Sequence, residues 1–303
     1  MQITVLIEDS INNEASDNDA LINEFGLSLY IESNGVALLL DAGSSGSFIQ
    51  NSQTLGIDLK TLDLAVISHA HFDHGGGLNA LFEYNFQVPV YLHAEAAKDY
   101  YANIGARLPM AINRFVHPLV RHSRIVSRYI GLDQNLMKEY AARIKHVTES
   151  VQIGKNIFVI TNISKTHPMP EGNRFLLTGS DGSLVPDQFV HEIILAIREE
   201  DGIVLFSGCC HSGILNMIQT ARHFFNDEPI KSIVGGFHLK LQPMKEKMAG
   251  TQEDIDYIAN ELLALNIGHI YTGHCTGSQA YQALKTSLKE RLHPLYTGAV
   301  IHV

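Results

Sequence analysis

A run of histidines and an aspartate directly after a short apolar segment constrains this chain more than any other feature. The segment Leu62–Ile67 has the length and β-branched residues typical of a buried strand, and the next residues read Ser-His-Ala-His-Phe-Asp-His-Gly. At such a strand end, the side chains of His69 and His71 point to the same face because they are alternate residues. The following loop can fold Asp73 and His74 back beside them. Imidazoles with a carboxylate are ligands that zinc prefers and that iron or manganese tolerates. The run therefore predicts a metal site.

The same run resembles the His-x-His-x-Asp-His signature of the metallo-β-lactamase superfamily. Val36–Gly43 is similar to the superfamily's strand that ends in Asp-x-Gly. Three later segments resemble the subgroup of metal-dependent hydrolases related to 7,8-dihydropterin-6-yl-methyl-4-(β-D-ribofuranosyl)aminobenzene 5'-phosphate synthase, namely Phe206–Gly213, Gly235–Leu239 and Gly273–Gly277. The resemblance implies one domain over 1–303, an α/β four-layer αββα sandwich with the metal site at one edge of its two sheets.

Apolar segments and turn residues alternate along the chain in two series. The first predicts strands at Ile3–Ile7, Ser28–Glu32, Val36–Leu40, Leu64–Ile67 and Val88–Leu92, and helices at Gly46–Leu55 and Leu78–Asn85. The second predicts strands at Ile157–Ile160, Ile193–Ile197, Val204–Phe206, Ser232–Val234 and His269–Tyr271, and helices at Gly213–Phe225, Thr251–Leu265 and Ser278–Leu288. Two such series favour two sheets packed face to face with helices outside.

Two more histidines of the second series follow predicted strands. His211 comes shortly after one strand end, and His274, after another, resembles the superfamily's last metal histidine. We therefore expect two divalent ions, most simply zinc with iron or manganese as alternatives, in two adjacent sites. The expected ligands are His69, His71 and His211 on one side and Asp73, His74 and His274 on the other.

Other residues near the strand ends have less defined roles. Cys209 stands where many superfamily members have an aspartate that bridges two metals, so it is either a thiolate ligand or a buried small residue. His238 could complete a metal shell or act as a catalytic general acid. Asp41 is expected to orient a ligand imidazole or a water from outside the metal shell. His167 and His191 lie where a further metal motif should fall, and neither has a clean copy of it.

The region 95–149 differs from the rest of the chain in its charge. Its central part, Tyr100–Leu132, has five arginines and no acidic residue. We expect a helical insert whose arginines pair with acids elsewhere, or a lid that binds an anionic substrate through a planar guanidinium. The substrate candidates are Arg107, Arg114 and Arg121. The apolar residues of the insert also allow a homodimer contact.

The overall composition excludes some functions. A formal net charge of −10 disfavours nucleic acid as a partner. No apolar run reaches the ~18 residues of a membrane span, and the N-terminal residues read as a strand and not as a signal peptide. The three cysteines, two of them adjacent, suit a reducing compartment. We therefore expect a cytoplasmic protein without membrane contact.

These residues predict an enzyme. Two divalent ions can supply hydroxide at neutral pH, so we expect hydrolysis of a phosphoester, or of another ester or amide, in a small anionic molecule. Asp73 would orient the attacking water, and His238 would protonate the leaving group. The resemblance implies one alternative, a synthase-like transferase that joins a pterin to a ribofuranosyl-aminobenzene phosphate. Another alternative is a non-catalytic or redox metal protein, and the lack of a flavodoxin-like partner domain argues against an electron-transfer role.

Overall fold

A computed structural model describes residues 1–11, 20–103, 127–180, 182–242 and 245–303. Its strands are β1 Gln2–Ile7, β2 Ser28–Ser33, β3 Val36–Leu40, β4 Leu64–Val66, β5 Val90–His93, β6 Tyr100–Asn103, β7 Ser127–Tyr129, β8 Ile144–Val147, β9 Val151–Gly154, β10 Ile157–Ile160, β11 Leu176–Ser180, β12 Ser183–Pro186, β13 Ile194–Glu199, β14 Gly202–Phe206, β15 Ile230–Val234, β16 Lys240–Gln242, β17 Lys245–Met248, β18 His269–Thr272, β19 Leu292–Pro294 and β20 Val300–His302. Every strand predicted from the sequence is among them, with ends that differ by one or two residues.

Among the described residues, the structure contains the five helices that the sequence pattern predicted and two short ones outside those five ranges. They are α1 Ser47–Thr54, α2 Phe72–Gly75, α3 Leu78–Tyr84, α4 Gln134–Glu139, α5 Ile214–Phe224, α6 Gln252–Ala264 and α7 Ser278–Leu288. Helix α6 begins at a capping box, in which the Thr251 hydroxyl accepts the Asp254 N–H and the Asp254 carboxylate accepts the Thr251 N–H. In the part of the chain that the structure covers, no helix has both the length and the apolar character to cross a bilayer.

Two seven-stranded sheets form the centre of the fold. Their strand orders are β20-β1-β2-β3-β4-β5-β8 and β19-β18-β15-β14-β13-β10-β9. Strands β3, β4, β5 and β8 are parallel in the first sheet, and β14, β15, β18 and β19 are parallel in the second. Because parallel strands end at the same sheet edge, the residues that follow them gather there.

Alternate residues of the central strands face different layers. Leu38 and Leu40 of β3 pack with Val204 and Phe206 of β14 in a cluster between the sheets. Leu39 of β3 instead packs with side chains of α1 and α3, and the intervening residues of β14 pack under α5, α6 and α7. This alternation, which follows from the pleat of a strand, produces four layers. The predicted αββα sandwich is confirmed.

The region 95–149 contains three short strands where the structure describes it. Strands β6 and β7 join β11 and β12 in a separate four-stranded sheet, and β8 is an edge strand of the first large sheet. The short α4 is the α-helix of its described part. The helical insert at 95–149 stays a prediction, because its central part at 104–126 lies outside the described residues.

Candidate metal centre

The expected metal ligands meet at one edge of the two sheets. His69, His71, Asp73 and His74 come after strand β4. Cys209 and His211 come after β14, and His274 comes after β18. Helix α2 holds Asp73 and His74, where the sequence had predicted a loop. Close packing at this edge requires a glycine, because a Cβ at Gly208 would lie 2.1 Å from Ser68 Oγ.

The ligand atoms form overlapping groups of buried side chains. One group joins Asp73, His74, Cys209 and His274, and another joins His69, Cys209 and His211, with all atoms of each group within 4.8 Å of one another. Cys209 is common to both groups, in the position that the sequence assigned to a bridging residue. The structure thus brings all predicted ligands except His71 into these two groups. His71 instead forms a group with Asp187 and His191, although its ring centre lies 4.6 Å from that of His69.

The distances within the first group are short. His74 Nε2 lies 3.2 Å from Cys209 Sγ and 3.7 Å from Asp73 Oδ2. His274 Nε2 lies 3.4 Å from the same Asp73 oxygen. Burial alone would raise the pKa of the Asp73 carboxyl, but the imidazoles of His74 and His274 hold that pKa well below its usual range. Asp73 is therefore an ionised carboxylate.

The histidines beside Asp73 are supported by carboxylates from outside the group. His74 Nδ1 donates to Asp41 Oδ2 at 2.7 Å, and His274 Nδ1 donates to Asp9 Oδ1 at 2.7 Å. Burial opposes protonation of both rings, but these carboxylates outweigh it and raise the pKa of His74 and of His274. We call His74 and His274, with Asp73, the carboxylate side. The predicted positioning role of Asp41 stays a prediction that this contact supports.

The other histidines are supported by neutral groups, and with His71 they form what we call the neutral side. His211 Nδ1 lies 3.0 Å from Asn173 Oδ1, and His69 Nδ1 lies 2.9 Å from Ser68 Oγ. Since the Ser68 hydroxyl donates its proton to Asp41, His69 Nδ1 must be the donor to Ser68. Burial and neighbouring imidazoles lower the pKa of His69 and of His211 well below the ordinary value, and burial lowers that of His71 to about 3.

These hydrogen bonds place a proton on Nδ1 of the four supported rings, His69, His74, His211 and His274. In the neutral rings of His69 and His211, Nε2 therefore carries a lone pair towards the cluster, whereas the raised pKa of His74 and of His274 favours a second proton on Nε2 beside Asp73, which a bound cation would replace. His69 Nε2 and His211 Nε2 then face each other at 3.3 Å, and among the described residues the buried His71 Nε2 and His274 Nε2 have no hydrogen-bond partner. Opposed lone pairs and partnerless buried nitrogens are unfavourable unless a cation lies between them. The side chains therefore fit metal ions.

Several supporting residues were missed by the sequence reasoning. Asp9 follows β1 as Asp41 follows β3, so the rule that polar residues after strands form the site could have found it. Asn173 and Glu192 carried no such signal. Glu192 accepts the backbone N–H groups of His211 and Ser212 at 2.6 Å each.

The two uncertain histidines have different surroundings. His191 Nδ1 accepts the Ala70 N–H at 3.0 Å, and its Nε2 donates to Asp187 at 3.0 Å. It therefore holds the backbone between His69 and His71. His167 instead pairs with the Tyr257 hydroxyl on an exposed surface.

A cavity of about 430 Å³ opens above the ligands. Its walls include the rings of Phe25, Phe72 and Phe175, and its cationic residues are Arg128 and Lys240. The Arg128 guanidinium lies 5.3 Å from the centre of the Phe72 ring, and Lys240 Nζ lies 3.7 Å from Asp9 Oδ2. The predicted substrate residues Arg107, Arg114 and Arg121 lie outside the described residues.

Comparison with known proteins identifies the family. The model of the metallo-beta-lactamase superfamily matches residues 22–210, which is more than half of the chain. The chain therefore belongs to this superfamily, as its signature residues and four-layer fold indicate.

Individual relatives indicate which part of the superfamily this chain resembles. A 7,8-dihydropterin-6-methyl-4-(beta-D-ribofuranosyl)-aminobenzene-5'-phosphate synthase from Methanocaldococcus jannaschii is 27% identical over 95% of this chain and 92% of its own length. The crystal structure of Tm1679, a metal-dependent hydrolase of the beta-lactamase superfamily, has a TM-score of 0.78 and 29% identity, and covers 100% of this chain and 99% of its own. Zn²⁺-bound PqqB from Methylobacterium extorquens, at 11% identity with full coverage of both chains and a TM-score of 0.57, shares the fold. The predicted subgroup resemblance is confirmed.

Proposed function

We propose that this protein is a metal-dependent hydrolase that acts on a small anionic ester or amide, with a phosphoester as the first choice. The observation that carries the proposal is a cluster of buried imidazole nitrogens at the floor of a cavity, beside an ionised aspartate. These nitrogens face one another or have no hydrogen-bond partner among the described residues. Membership of a superfamily with metal-dependent hydrolases supports it.

The residues of the two sides would hold two divalent ions, with zinc expected from the nitrogen, sulfur and oxygen ligands. His69, His71 and His211 would bind one ion, and Asp73, His74 and His274 the other. Cys209 belongs to a group with each set and would supply a thiolate to one of these ions. When bound, such ions lower the pKa of a water to about 7 and polarise a phosphoryl or carbonyl oxygen.

The chain itself contributes orientation and charge. The ionised Asp73 carboxylate can accept a hydrogen bond from the attacking water and so point its lone pair at the substrate. Arg128 and Lys240 place positive charge at the cavity wall, where an anionic group would bind. The three phenylalanine rings exclude water from the apolar part of the substrate. Of the two roles left open for His238, we adopt the ligand role, because its ring lies with the thiols of Cys209 and Cys275.

A second candidate is a synthase-like transferase. It is favoured by the synthase from Methanocaldococcus jannaschii, which aligns over 95% of this chain, and by the aromatic walls of the cavity, which suit a planar ring. In that reaction the same residues would assist the departure of a leaving group instead of activating water.

One purified, metal-loaded sample separates the candidates. It should be assayed against phosphomonoesters, phosphodiesters, lactones and pterins, each with a chelator control and with the His69→Ala/His71→Ala variant. Hydrolysis of an anionic ester that both controls abolish supports the first candidate. Consumption of a pterin only when an aminobenzene phosphate is added supports the second. Tightly bound metal without turnover of any compound would leave a non-catalytic metal protein.

We also propose a reducing, cytoplasmic location. The cysteines Cys209, Cys210 and Cys275 are all free and buried, and Cys209 lies among the ligand atoms. Oxidation of this thiol would remove a soft ligand from the site, so a reducing compartment would preserve the centre. Measurement of free thiols directly after lysis under alkylating conditions tests this, and a blocked Cys209 would contradict it.

A further inference from the structure

Two thiols and an imidazole lie together at the cavity, next to the metal centre described above. The sulfur atoms of Cys209 and Cys275 and a ring nitrogen of His238 all lie within 4.8 Å of one another. All three residues line the cavity. They come from separate strand ends, after β14, β18 and β15, so the fold and not local sequence brings them together.

The His238 ring has no polar neighbour of ordinary hydrogen-bond geometry in the described part of the chain. Both of its ring nitrogens are buried, neither has such a partner among the described residues, and the Cys275 thiol interacts with the ring. Its backbone has a left-handed φ of 50°, which is unfavourable for a residue with a side chain. A buried, unpaired imidazole on a strained backbone is costly unless a ligand compensates for it.

The backbone around Cys275 is shaped for a sulfur atom. A Cβ at Gly236 would lie 2.4 Å from Cys275 Sγ, so a glycine is needed there. The His238 N–H donates to Cys275 Sγ at 3.3 Å, and the Phe237 N–H donates to Thr276 Oγ1 at 3.0 Å. These two bonds hold the turn that carries His238 against the turn that carries Cys275. The sulfur and the imidazole are thus fixed in place before any ligand binds.

We propose that Cys209, Cys275 and His238 bind a third metal ion, of the soft or borderline class of zinc and copper(I), adjacent to the two sides of the main centre. Two thiolates and one imidazole are the ligand set that such ions prefer, and three protein ligands leave an open position towards the cavity. Both thiols lose their protons to solvent when the ion binds. The Cys209 thiolate is shared with the main centre.

The third cysteine provides a matched control. Cys210 is adjacent to Cys209 in sequence, but its Sγ lies 3.3 Å from Met217 Sδ, within the hydrophobic cluster under α5. It is not among the residues that line the cavity. Cys210→Ser therefore makes the same chemical change away from the proposed ion.

The test is a metal titration of the reduced, metal-free protein. Co²⁺ is added without oxygen, in a weak competing chelator, and the near-ultraviolet thiolate-to-cobalt absorption is recorded, followed by zinc stoichiometry from dialysis and elemental analysis. Cys275→Ser should lose roughly half of the thiolate absorption and one zinc ion per chain, because one of its two thiolate ligands is gone. His238→Asn should also lose one zinc ion, and Cys210→Ser should match the wild type.

Two further variants separate this site from the main centre. His69→Ala/His71→Ala should keep the Cys275-dependent absorption even if it loses all hydrolytic activity, so failure of the proposed function would not remove this result. Should Cys275→Ser not fold by circular dichroism, His238→Asn decides, since asparagine tolerates a left-handed backbone. Equal zinc content in the wild type and His238→Asn, or Co²⁺ absorption that does not depend on Cys275, would overturn the proposal.

Discussion

The two sides of the candidate metal centre have the same kind of side chain, an imidazole, with opposite electrostatic support. On the carboxylate side, Asp41 and Asp9 accept the Nδ1 protons of His74 and His274. On the neutral side, Asn173 and Ser68 do the same for His211 and His69. A carboxylate makes an imidazole more basic, whereas an amide or hydroxyl fixes its orientation without adding charge. The comparison therefore separates geometry, which both sides share, from basicity, which differs between them.

The largest effect should come from removing the ligands of one side at a time. His69→Ala/His71→Ala and His274→Ala should each lose about one ion and roughly 10³-fold or more in turnover, because the lost ion stabilises charge in the transition state. Elemental analysis beside steady-state kinetics measures both. If either variant loses all of its metal, the two sides bind cooperatively and cannot be treated separately.

The second test exchanges the electrostatic support. Asp9→Asn keeps a hydrogen-bond acceptor for His274 but removes the charge, so metal affinity on the carboxylate side should fall about 10- to 100-fold. Asn173→Asp makes the reverse change and should tighten the neutral side. Competition with a fluorescent chelator gives the affinities. No change in the first variant would show that orientation alone matters.

The third test is the pH dependence of the metal-free protein. His71 has a folded pKa of about 3, below its unfolded value of about 6.5, so the unfolded state binds more protons as the pH falls. The free energy of unfolding should drop by about 2 kcal/mol between pH 7 and pH 5 through His71.

The carboxylate side should respond in the opposite pH window. The pKa of His274 is raised, so its stabilisation is complete below pH 6.5 and is lost as the pH rises through the folded pKa. In urea unfolding, the free energy of unfolding of His71→Gln should therefore depend less on pH below pH 6.5 than that of the wild type. The free energy of unfolding of His274→Gln should depend less on pH above pH 6.5. The same slope in wild type and both variants would contradict the assigned shifts.

The smallest effect should come from Arg128 at the cavity wall. Arg128→Gln should reduce kcat/KM for anionic substrates by about 10-fold, through loss of a charge-assisted hydrogen bond. For Arg107, Arg114 and Arg121, which lie outside the described residues, the sequence predicts a loss of about 10- to 100-fold when the charge is removed. Neutral esters and bound metal should be unaffected. An equal loss for neutral esters would mean that these arginines support the structure instead of selecting the substrate.

The sequence was most informative where chemistry and strand pattern coincide. His69, His71, Asp73 and His74 follow one strand within six residues, so their proximity was predictable from local geometry. Asp9 also follows a strand and could have been found by the same rule, but its pairing with His274, 265 residues away, could not be predicted from local sequence.

Other parts of the site had no readable signal at all. Asn173 acquires its role through a turn whose position depends on tertiary packing. The strands β6 and β8 of 95–149 were missed because they form by pairing with β11 and β5 and not from a local sequence pattern.

The link between Asp9 and His274 has a consequence for how the protein folds. Glu8 also accepts the His274 N–H, so the first strand and the last third of the chain must both be in place before this half of the centre exists. Contacts of such long sequence separation form late, because loop closure must come first. During synthesis on the ribosome, the carboxylates of Glu8 and Asp9 would have no partner until His274 leaves the ribosome. Metal uptake would then report completion of the fold, not its beginning.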